Sequence, residues 1–290
     1  MPRLDPWTGR GVVITDGAWG TRLQALGLEP GALPDAWNLA RPELVLQVAR
    51  EYVEAGSEVI LTNTFRANRI ALAEAGLAGE VGGINRAGVE ISRRAAARRA
   101  LVFASIGPSG KMLINGEVSA EDLERAFTEQ AESLAQAGPD ALLVETMSDL
   151  EEARIAARAA LATGLPVIVS FAFDTGRNRD RTMMGVTPEM AAAEMRAVGV
   201  DAVGANCGAG IERFVPLCAR LKAASGLPVW IKPNAGLPAW RDGRAVYLGS
   251  PEQFAAHLAP LVEAGAAFVG GCCGTTPAFV RALAAAREAL

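Results

Sequence analysis

The stretch EAGSEVILTNTF, residues 54–65, decides the predicted fold because three other stretches repeat its pattern. In all four, a glycine ends a helical pattern, and a continuous apolar run then leads into polar or reactive residues. Glycine is typical of the left-handed cap that closes a helix, and a strand that is apolar on both faces belongs to a buried parallel sheet. The other three are QAGPDALLVETM (136–147), AVGVDAVGANCG (197–208) and EAGAAFVGGCCG (263–274). We therefore expect four helix-to-strand units in one parallel sheet.

Further apolar segments bring the number of predicted strands to eight. They are GVVITDG (11–17), ALVFASIG (100–107), LPVIVSFAF (165–173) and LPVWIKPN (227–234). The helical patterns between strands include Pro42–Ala55, Ala120–Ala137, Leu150–Thr163, Pro188–Val198, Ile211–Ser225, Pro251–Ala264 and Pro277–Leu290. This alternation predicts a single (β/α)8 TIM barrel, one domain over residues 1–290. The alternative, a doubly wound open sheet, usually has a glycine-rich phosphate turn after its first strand, and DGAWGT (16–21) is not such a turn.

Composition and charge exclude several classes of protein. Half of the 290 residues are hydrophobic, 21% are charged and the net charge is −4, which is typical of a globular protein with a sizeable core. The helical spacing of Arg93, Arg94, Arg98 and Arg99 predicts a solvated helix face rather than a nucleic-acid-binding stripe. The N-terminal MPRLDPWTGRG has no apolar signal region, and no run is long enough to span a bilayer. We expect a cytoplasmic protein that binds neither nucleic acid nor membranes. The sequence leaves open whether it forms a homo-oligomer.

Three of the four cysteines lie at predicted strand ends, where barrel enzymes carry their reactive residues. Cys207 ends the sixth strand and Cys272 and Cys273 end the eighth, so their thiols are placed to converge. A zinc ion with three protein ligands keeps its fourth position open, which is typical of a catalytic site. A substrate thiol bound there is held as a thiolate, so the pattern predicts alkyl transfer to sulfur. On the residues alone, structural or incidental cysteines remain the alternative, and Cys218 is interpreted as a core residue.

Polar residues at the other strand ends are candidates for a substrate pocket. They are Asp16, Thr62, Asn63, Glu145, Asn206 and Asn234. Asp16 has the alternative of capping a helix, and Thr62 and Asn63 that of shaping a turn, whereas a carboxylate that closes a buried strand, as Glu145 does, needs a partner. The single histidine, His257, excludes a histidine-rich hydrolytic zinc site and a Ser-His-Asp triad. An aldolase with Lys232 as its Schiff-base lysine is a further alternative, which leaves the cysteines unused.

Six motifs, in order along nearly the whole chain, resemble those of the homocysteine S-methyltransferase family. They are TDGAWGT (15–21), TNTF (62–65), ET (145–146), GANCG (204–208), KPNAGLP (232–238) and GGCCGTTP (270–277). The resemblance implies a methyltransferase that transfers a methyl group to the thiolate of homocysteine and forms methionine. It also implies that the methyl donor is a small molecule or a separate corrinoid or folate protein. Methyl transfer to another small thiol or selenol, or a non-catalytic zinc- or thiol-sensing barrel, stays as the alternative.

The resemblance also implies roles for individual residues. Cys207, Cys272 and Cys273 are the expected Zn²⁺ ligands. The expected pocket for the amino-acid end of homocysteine comprises Asp16, Gly17, Thr62, Asn63 and Glu145, and we add Asn206 and Asn234 to it. Asp16 and Glu145 are expected to take part in catalysis, because a carboxylate pairs with the substrate ammonium group. Two positions depart from the commoner family pattern: Trp19 stands where methionine is frequent, and Lys232 stands where glutamate or tyrosine is often found.

Overall fold

The computed structural model describes residues 3–241 and 244–290, and eight parallel strands of these ranges form one sheet. The ten strands of the described ranges, of which β8 and β9 form a separate hairpin, are β1 (Val13–Ile14), β2 (Val59–Leu61), β3 (Leu101–Ile106), β4 (Ala141–Met147), β5 (Val167–Phe171), β6 (Ala202–Gly210), β7 (Val229–Asn234), β8 (Pro238–Arg241), β9 (Arg244–Tyr247) and β10 (Ala266–Val269). The sheet runs β1-β10-β7-β6-β5-β4-β3-β2, and a parallel bridge between Thr15 and Val59 joins its two edges. The predicted single (β/α)8 barrel is confirmed.

Helices surround the strands and connect them. They are α1 (Asp5–Thr8), α2 (Gly20–Ala25), α3 (Trp37–Ala40), α4 (Pro42–Glu54), α5 (Arg69–Ala73), α6 (Val81–Ala96), α7 (Ala120–Gln136), α8 (Leu150–Ala162), α9 (Pro188–Val198), α10 (Phe214–Ser225), α11 (Pro251–Ala255), α12 (Leu258–Glu263) and α13 (Pro277–Arg287). Within the part of the chain that the structure describes, every helix is too short or too polar to cross a membrane.

Two predicted helical features differ from the structure. The helix expected over Pro251–Ala264 is divided into α11 and α12, because Pro260 has no N–H to donate to the carbonyl of Ala256 and its ring clashes with that carbonyl. The expected arginine face is wrong as well. Helix α6 ends at Ala96, and left-handed φ angles of 46° at Ala97 and 65° at Arg98 turn the chain away from the helix axis.

The hairpin of β8 and β9 was not predicted. Its antiparallel pairing brings Pro238 opposite Tyr247, between β7 and α11. The Tyr247 ring occupies the space that a side chain on Gly274 would need, and Gly274 has a φ of 81°. The hairpin therefore packs on the last loop of the barrel mouth, and only glycine fits at that contact.

The lower half of the barrel interior is an apolar floor, which we define as the inward-facing layer around Phe103, Trp230 and Phe268. Their ring centroids lie 5.3–6.0 Å apart, and all three side chains are fully buried. Side chains alternate between the two faces of a strand, so the next inward position on each strand lies one layer nearer the mouth. On most strands the residue there is polar, such as Ser105 on β3 and Lys232 on β7, and these residues form a polar layer at the base of the candidate site.

Candidate active site

A cavity of about 340 Å³ opens at the carboxyl ends of the barrel strands. The residues predicted for the site that line it are Gly17, Thr62, Asn63, Glu145, Cys207, Cys272 and Cys273. The other three predicted residues lie behind this lining. Asp16 and Asn206 hydrogen-bond to lining residues, and Asn234 donates to the carbonyl of Gly208.

The three cysteines predicted as metal ligands form one cluster, whose Sγ atoms all lie within 4.8 Å of one another. The Sγ atoms of Cys207 and Cys272 are 3.1 Å apart and those of Cys272 and Cys273 are 4.0 Å apart, so all three are free thiols. Cys207 follows the inward-facing Asn206 and would point outward by strand alternation. Its left-handed φ of 61° interrupts that alternation at the end of β6.

The loop that carries Cys272 and Cys273 is held by backbone hydrogen bonds to the ends of β1 and β7. Gly271 N donates to Asp16 O, Cys272 N donates to Pro233 O, and Ala235 N donates to Cys273 O, over 2.7–2.9 Å. A side chain on Gly270 or Gly271 would clash with Thr15, Asp16 or Thr275. The glycine pair in GGCCG is therefore required by close packing of the first and last loops.

Thr275 and Tyr52 complete this packing, and sequence reasoning missed both. The Thr275 hydroxyl accepts a hydrogen bond from Ala18 N and donates to Cys272 O, while the Tyr52 hydroxyl donates to Ala18 O. The TTP motif directly after GGCCG is the only sequence signal for Thr275. Tyr52 lies on α4, where its hydroxyl carries no signal of its own.

The cysteine cluster shares negative charge unevenly. The S–H groups of Cys207 and Cys272 hydrogen-bond to Cys273 and hold the pKa of that thiol well below its usual range. Hydrogen bonds to Cys272 and then to Cys273 raise the pKa of Cys207, because its thiol acts as the donor. Without a cation the cluster favours one thiolate; a bound cation would favour all three.

The donor set fits a zinc ion. Two sulfur atoms bonded at about 2.3 Å to a tetrahedral Zn²⁺ lie about 3.8 Å apart. The Cys272–Cys273 distance of 4.0 Å is near that value, whereas the Cys207–Cys272 distance of 3.1 Å is shorter and would have to widen around the ion. A further oxygen donor lies on the adjacent strand, since Asn234 Oδ1 is buried and has no hydrogen-bond partner among the described residues. The cluster can therefore hold a metal ion, and its soft thiolate ligands suit zinc.

Glu145 carries the predicted carboxylate of the cavity wall. It ends the inward row of β4 and accepts a hydrogen bond from the hydroxyl of Ser105 on β3. Burial raises the pKa of Glu145 to about 7, and the nearby charge of Lys232 opposes that rise. The carboxylate is consequently poised to become fully ionised when a cation binds beside it. Ser105 was not predicted, although it is the one polar residue in LVFASI (101–106).

Asp16 is engaged within the protein. Its Oδ1 forms a buried ion pair with the ammonium group of Lys232, and its Oδ2 accepts hydrogen bonds of 2.7 Å from Trp19 Nε1 and from Leu61 N. Trp19 and Lys232 are the two departures from the commoner family pattern, and they meet at this one carboxylate. The ion pair fits the ammonium form of Lys232, whereas a Schiff-base lysine must react as the neutral amine.

Asn206 links three strand ends. Its Oδ1 accepts hydrogen bonds from Thr146 N and from the hydroxyl of Ser170, and its Nδ2 donates to Thr146 Oγ1. Thr146 has a left-handed φ of 64°, so these contacts hold an unusual backbone turn directly after Glu145. The amide thus supports the residues beside both Glu145 and Cys207.

Thr62 and Asn63 line the cavity, and both also shape the turn after β2. Thr62 Oγ1 accepts from Ser105 N and contacts the hydroxyl of Thr64, and Asn63 Nδ2 donates to Pro34 O and to Asn38 Oδ1. Asn63 therefore fixes the loop around Pro34 over the cavity, and Thr62 joins the turn to β3.

Comparison with known proteins identifies the family. A profile of the family described as "Homocysteine S-methyltransferase" matches residues 13–287. The methionine synthase of Mycobacterium tuberculosis is 34% identical over 293 residues, and the matched region covers 95% of this chain but 24% of that protein. The chain thus spans about a quarter of the length of that relative. "Homocysteine S-methyltransferase 4" of Zea mays is 31% identical over 313 residues, with 96% of this chain and 90% of that protein covered.

A solved structure shows the same architecture. The metallated form of the homocysteine methyltransferase MmuM from Escherichia coli superposes with a TM-score of 0.82 at 26% identity, over 98% of this chain and 99% of that chain. The barrel, the cysteine cluster at its mouth and the match over residues 13–287 agree with the resemblance of the six motifs. The chain belongs to the homocysteine S-methyltransferase family.

Proposed function

We propose that the protein is a Zn²⁺-dependent S-methyltransferase that transfers a methyl group to the thiolate of homocysteine and forms methionine. The observation that carries this proposal is the cluster of three cysteine sulfurs, within 4.8 Å of one another, on the wall of a cavity that also exposes Glu145. Family membership supports it, and so does the name of the Zea mays relative, of which this chain covers 90%.

Cys207, Cys272 and Cys273 are the proposed zinc ligands. When bound there, Zn²⁺ supplies positive charge that keeps a substrate thiol deprotonated at neutral pH. The backbone hydrogen bonds of the last loop fix two of the ligands, and the left-handed turn at Cys207 fixes the third.

The amino-acid end of homocysteine fits the polar side of the same cavity. Glu145 is the proposed acceptor for the ammonium group, because it lines the cavity and its carboxylate has only the Ser105 hydroxyl as a hydrogen-bond donor among the described residues. Its proposed contribution to catalysis is to orient the substrate so that the sulfur atom points towards the cysteine cluster. Gly17, Thr62 and Asn63 form the wall around this end.

The methyl donor is a small methylated molecule or a separate methyl-corrinoid or folate protein. Each possibility is supported by one relative. The relative named methionine synthase, about four times as long as this chain, favours a donor carried by a separate protein, and the homocysteine S-methyltransferase of similar length favours a small molecule. A panel of donors, which includes S-methylmethionine, betaine, methylcobalamin and methyltetrahydrofolate, separates them by the methionine formed from homocysteine.

The test of the metal centre combines zinc stoichiometry with methionine formation. We expect about one zinc per chain, and we expect Cys273→Ser to lower zinc affinity and activity on the order of a hundredfold or more, because it removes a direct ligand. Cys218→Ser is the matched control, since Cys218 is buried on α10 and contacts the carbonyls of Leu261 and Ala264. Full activity of Cys273→Ser would contradict the zinc mechanism.

The alternatives give different results in the same assays. Turnover with a selenol or another thiol, but not with homocysteine, would show that the methyl acceptor is that compound and not homocysteine. One bound zinc with no methyl transfer from any donor would favour a sensing barrel. Three further predictions are a single domain over residues 1–290, a cytoplasmic location and a homo-oligomer. Limited proteolysis tests the first, cell fractionation the second and light scattering the third.

A further inference from the structure

We propose that Lys232 binds the α-carboxylate of the amino-acid substrate, and that Glu145 rather than Asp16 accepts its ammonium group. The inference rests on the proposed function and assigns contacts for the same site. Lys232 is then a specificity-determining residue, which selects thiols that carry a carboxylate.

Asp16 is closed to a substrate, because it does not line the cavity. Its carboxylate is completely buried and already contacts three donors, namely the Lys232 ammonium, Trp19 Nε1 and Leu61 N. An incoming ammonium group would have to enter a site without solvent access and disturb the ion pair there. Breaking a buried pair leaves an uncompensated charge, which is strongly unfavourable. Asp16 therefore acts on Lys232 rather than on the substrate.

Lys232, in contrast, has N–H donors that are not used within the described part of the protein. An ammonium group has three N–H donors, and among the described residues Lys232 Nζ contacts one acceptor, Asp16 Oδ1. The side chain is only 3% exposed, and it lies above the ring of Trp230, with Nζ 5.8 Å from the ring centroid. A buried cation with unused donors favours an anionic partner. Because Lys232 lines the cavity, that partner is expected to come from the cavity.

The arrangement matches the two charges of an amino acid. Lys232 lies on the inward face of β7 and Glu145 on that of β4, both near the carboxyl ends, and two strands of the sheet lie between them. Both line the cavity whose other wall holds the cysteine cluster. A thiol bound at the cysteines thus has one cation and one carboxylate within the same cavity to receive the opposite charges of its amino-acid end.

The test measures binding of three thiols to the zinc-loaded protein by titration calorimetry, without a methyl donor. The ligands are L-homocysteine, 3-aminopropane-1-thiol, which lacks the carboxylate, and 4-sulfanylbutanoate, which lacks the amino group. For the wild type we expect each truncated thiol to bind about tenfold or more weakly than homocysteine, because each loses one charge-assisted contact. Equal affinity for homocysteine and 3-aminopropane-1-thiol would overturn the proposal with no variant needed.

A double variant separates substrate binding from support of the fold. Asp16→Asn with Lys232→Met removes the ion pair as a unit and keeps an oxygen acceptor for Trp19 Nε1 and Leu61 N. We expect affinity for homocysteine and 4-sulfanylbutanoate to fall about tenfold, while that for 3-aminopropane-1-thiol is unchanged. An equal loss for all three thiols, or no loss for any, would overturn the proposal.

The matched variant is Glu145→Gln, for which the pattern should be the reverse. Homocysteine and 3-aminopropane-1-thiol should bind more weakly, and 4-sulfanylbutanoate should not. Unchanged binding of 3-aminopropane-1-thiol would overturn the assignment of the ammonium group to Glu145. Because these titrations need no turnover, absence of methionine formation would contradict the proposed function alone, and methionine formation without discrimination between the thiols would contradict this inference alone.

Discussion

The apolar floor of the barrel and the polar layer above it are built from the same strands, two residues apart. Phe103 precedes Ser105 on β3, and Trp230 precedes Lys232 on β7. The floor residues need only volume and apolar neighbours, and their rings pack in one cluster. The polar residues instead depend on specific partners from other strands, as Ser105 does on Glu145 and Lys232 does on Asp16.

This difference separates stability from function. Burial of apolar surface is non-directional and tolerates exchange of side chains with similar volume. A buried polar group is stable only when its partner is present, so a change to one member leaves the other unsatisfied. We therefore expect substitutions in the floor to affect mainly the free energy of unfolding, and substitutions in the polar layer to affect mainly the site.

The largest expected effect on stability is in the floor. Phe103→Ala removes a fully buried ring that packs against Trp7, Trp230 and Phe268. We expect it to lower the free energy of unfolding by about 3–5 kcal/mol, through lost transfer energy and the cavity that remains. Denaturant unfolding measures this loss, and Phe103→Leu should show a smaller one. If the folded Phe103→Ala protein lost zinc as readily as Cys273→Ser, the two layers would not be separable.

A second prediction compares two buried acids at the mouth. Asp16 has the Lys232 ion pair, whereas Asp35, which is 1% exposed, accepts a hydrogen bond from Arg66 N. Burial raises the pKa of Asp35 from 3.8 to about 7. A raised pKa means that the folded state favours the protonated carboxyl, so this contribution to stability is present below pH 3.8 and is lost as the pH rises through about 7.

Asp35→Asn keeps the acceptor for Arg66 N and removes the titration. We expect the variant to be more stable than the wild type at pH 8, on the order of 3 kcal/mol, and the two to be nearly equal near pH 4. Thermal unfolding across this pH range measures the difference. The exposed residue Asp5 provides the control, since Asp5→Asn should follow the wild type. A constant difference between Asp35→Asn and the wild type at all pH values would contradict the raised pKa.

Asn206 tests whether the polar layer supports the cysteine cluster. Asn206→Ala leaves Thr146 N and the Ser170 hydroxyl without their acceptor, which we expect to cost about 2 kcal/mol of stability. Because Cys207 is the next residue, we also expect zinc affinity to fall about tenfold or more. Ser225→Ala is the control. It removes buried hydrogen bonds at the end of α10 and should leave zinc affinity unchanged.

The sequence predicted the barrel because continuous apolar runs and closing glycines are local signals, and it predicted the convergence of Cys207 with Cys272 and Cys273 because parallel strands end at one face. It could not predict which polar side chains pair across the mouth. Asp16 follows β1 and Lys232 lies on β7, with β10 between these strands, and their contact depends on side-chain rotamers that no local pattern specifies. The division between α11 and α12 could have been predicted from Pro260. The hairpin could not, because it depends on packing against Gly274.

The smallest expected effect belongs to Ser105, whose hydroxyl donates to Glu145. This hydrogen bond favours the ionised carboxylate, so its loss in Ser105→Ala should raise the pKa of Glu145 further above its usual range. Ammonium binding needs the ionised form. We therefore expect kcat/KM for homocysteine to fall roughly threefold to tenfold below pH 7 and to match the wild type at pH 9. Ser170→Ala, which removes a donor to Asn206 instead, should not move the acid limb of the profile. Superimposable pH profiles of Ser105→Ala and the wild type would show that Glu145 does not bind the substrate in its ionised form.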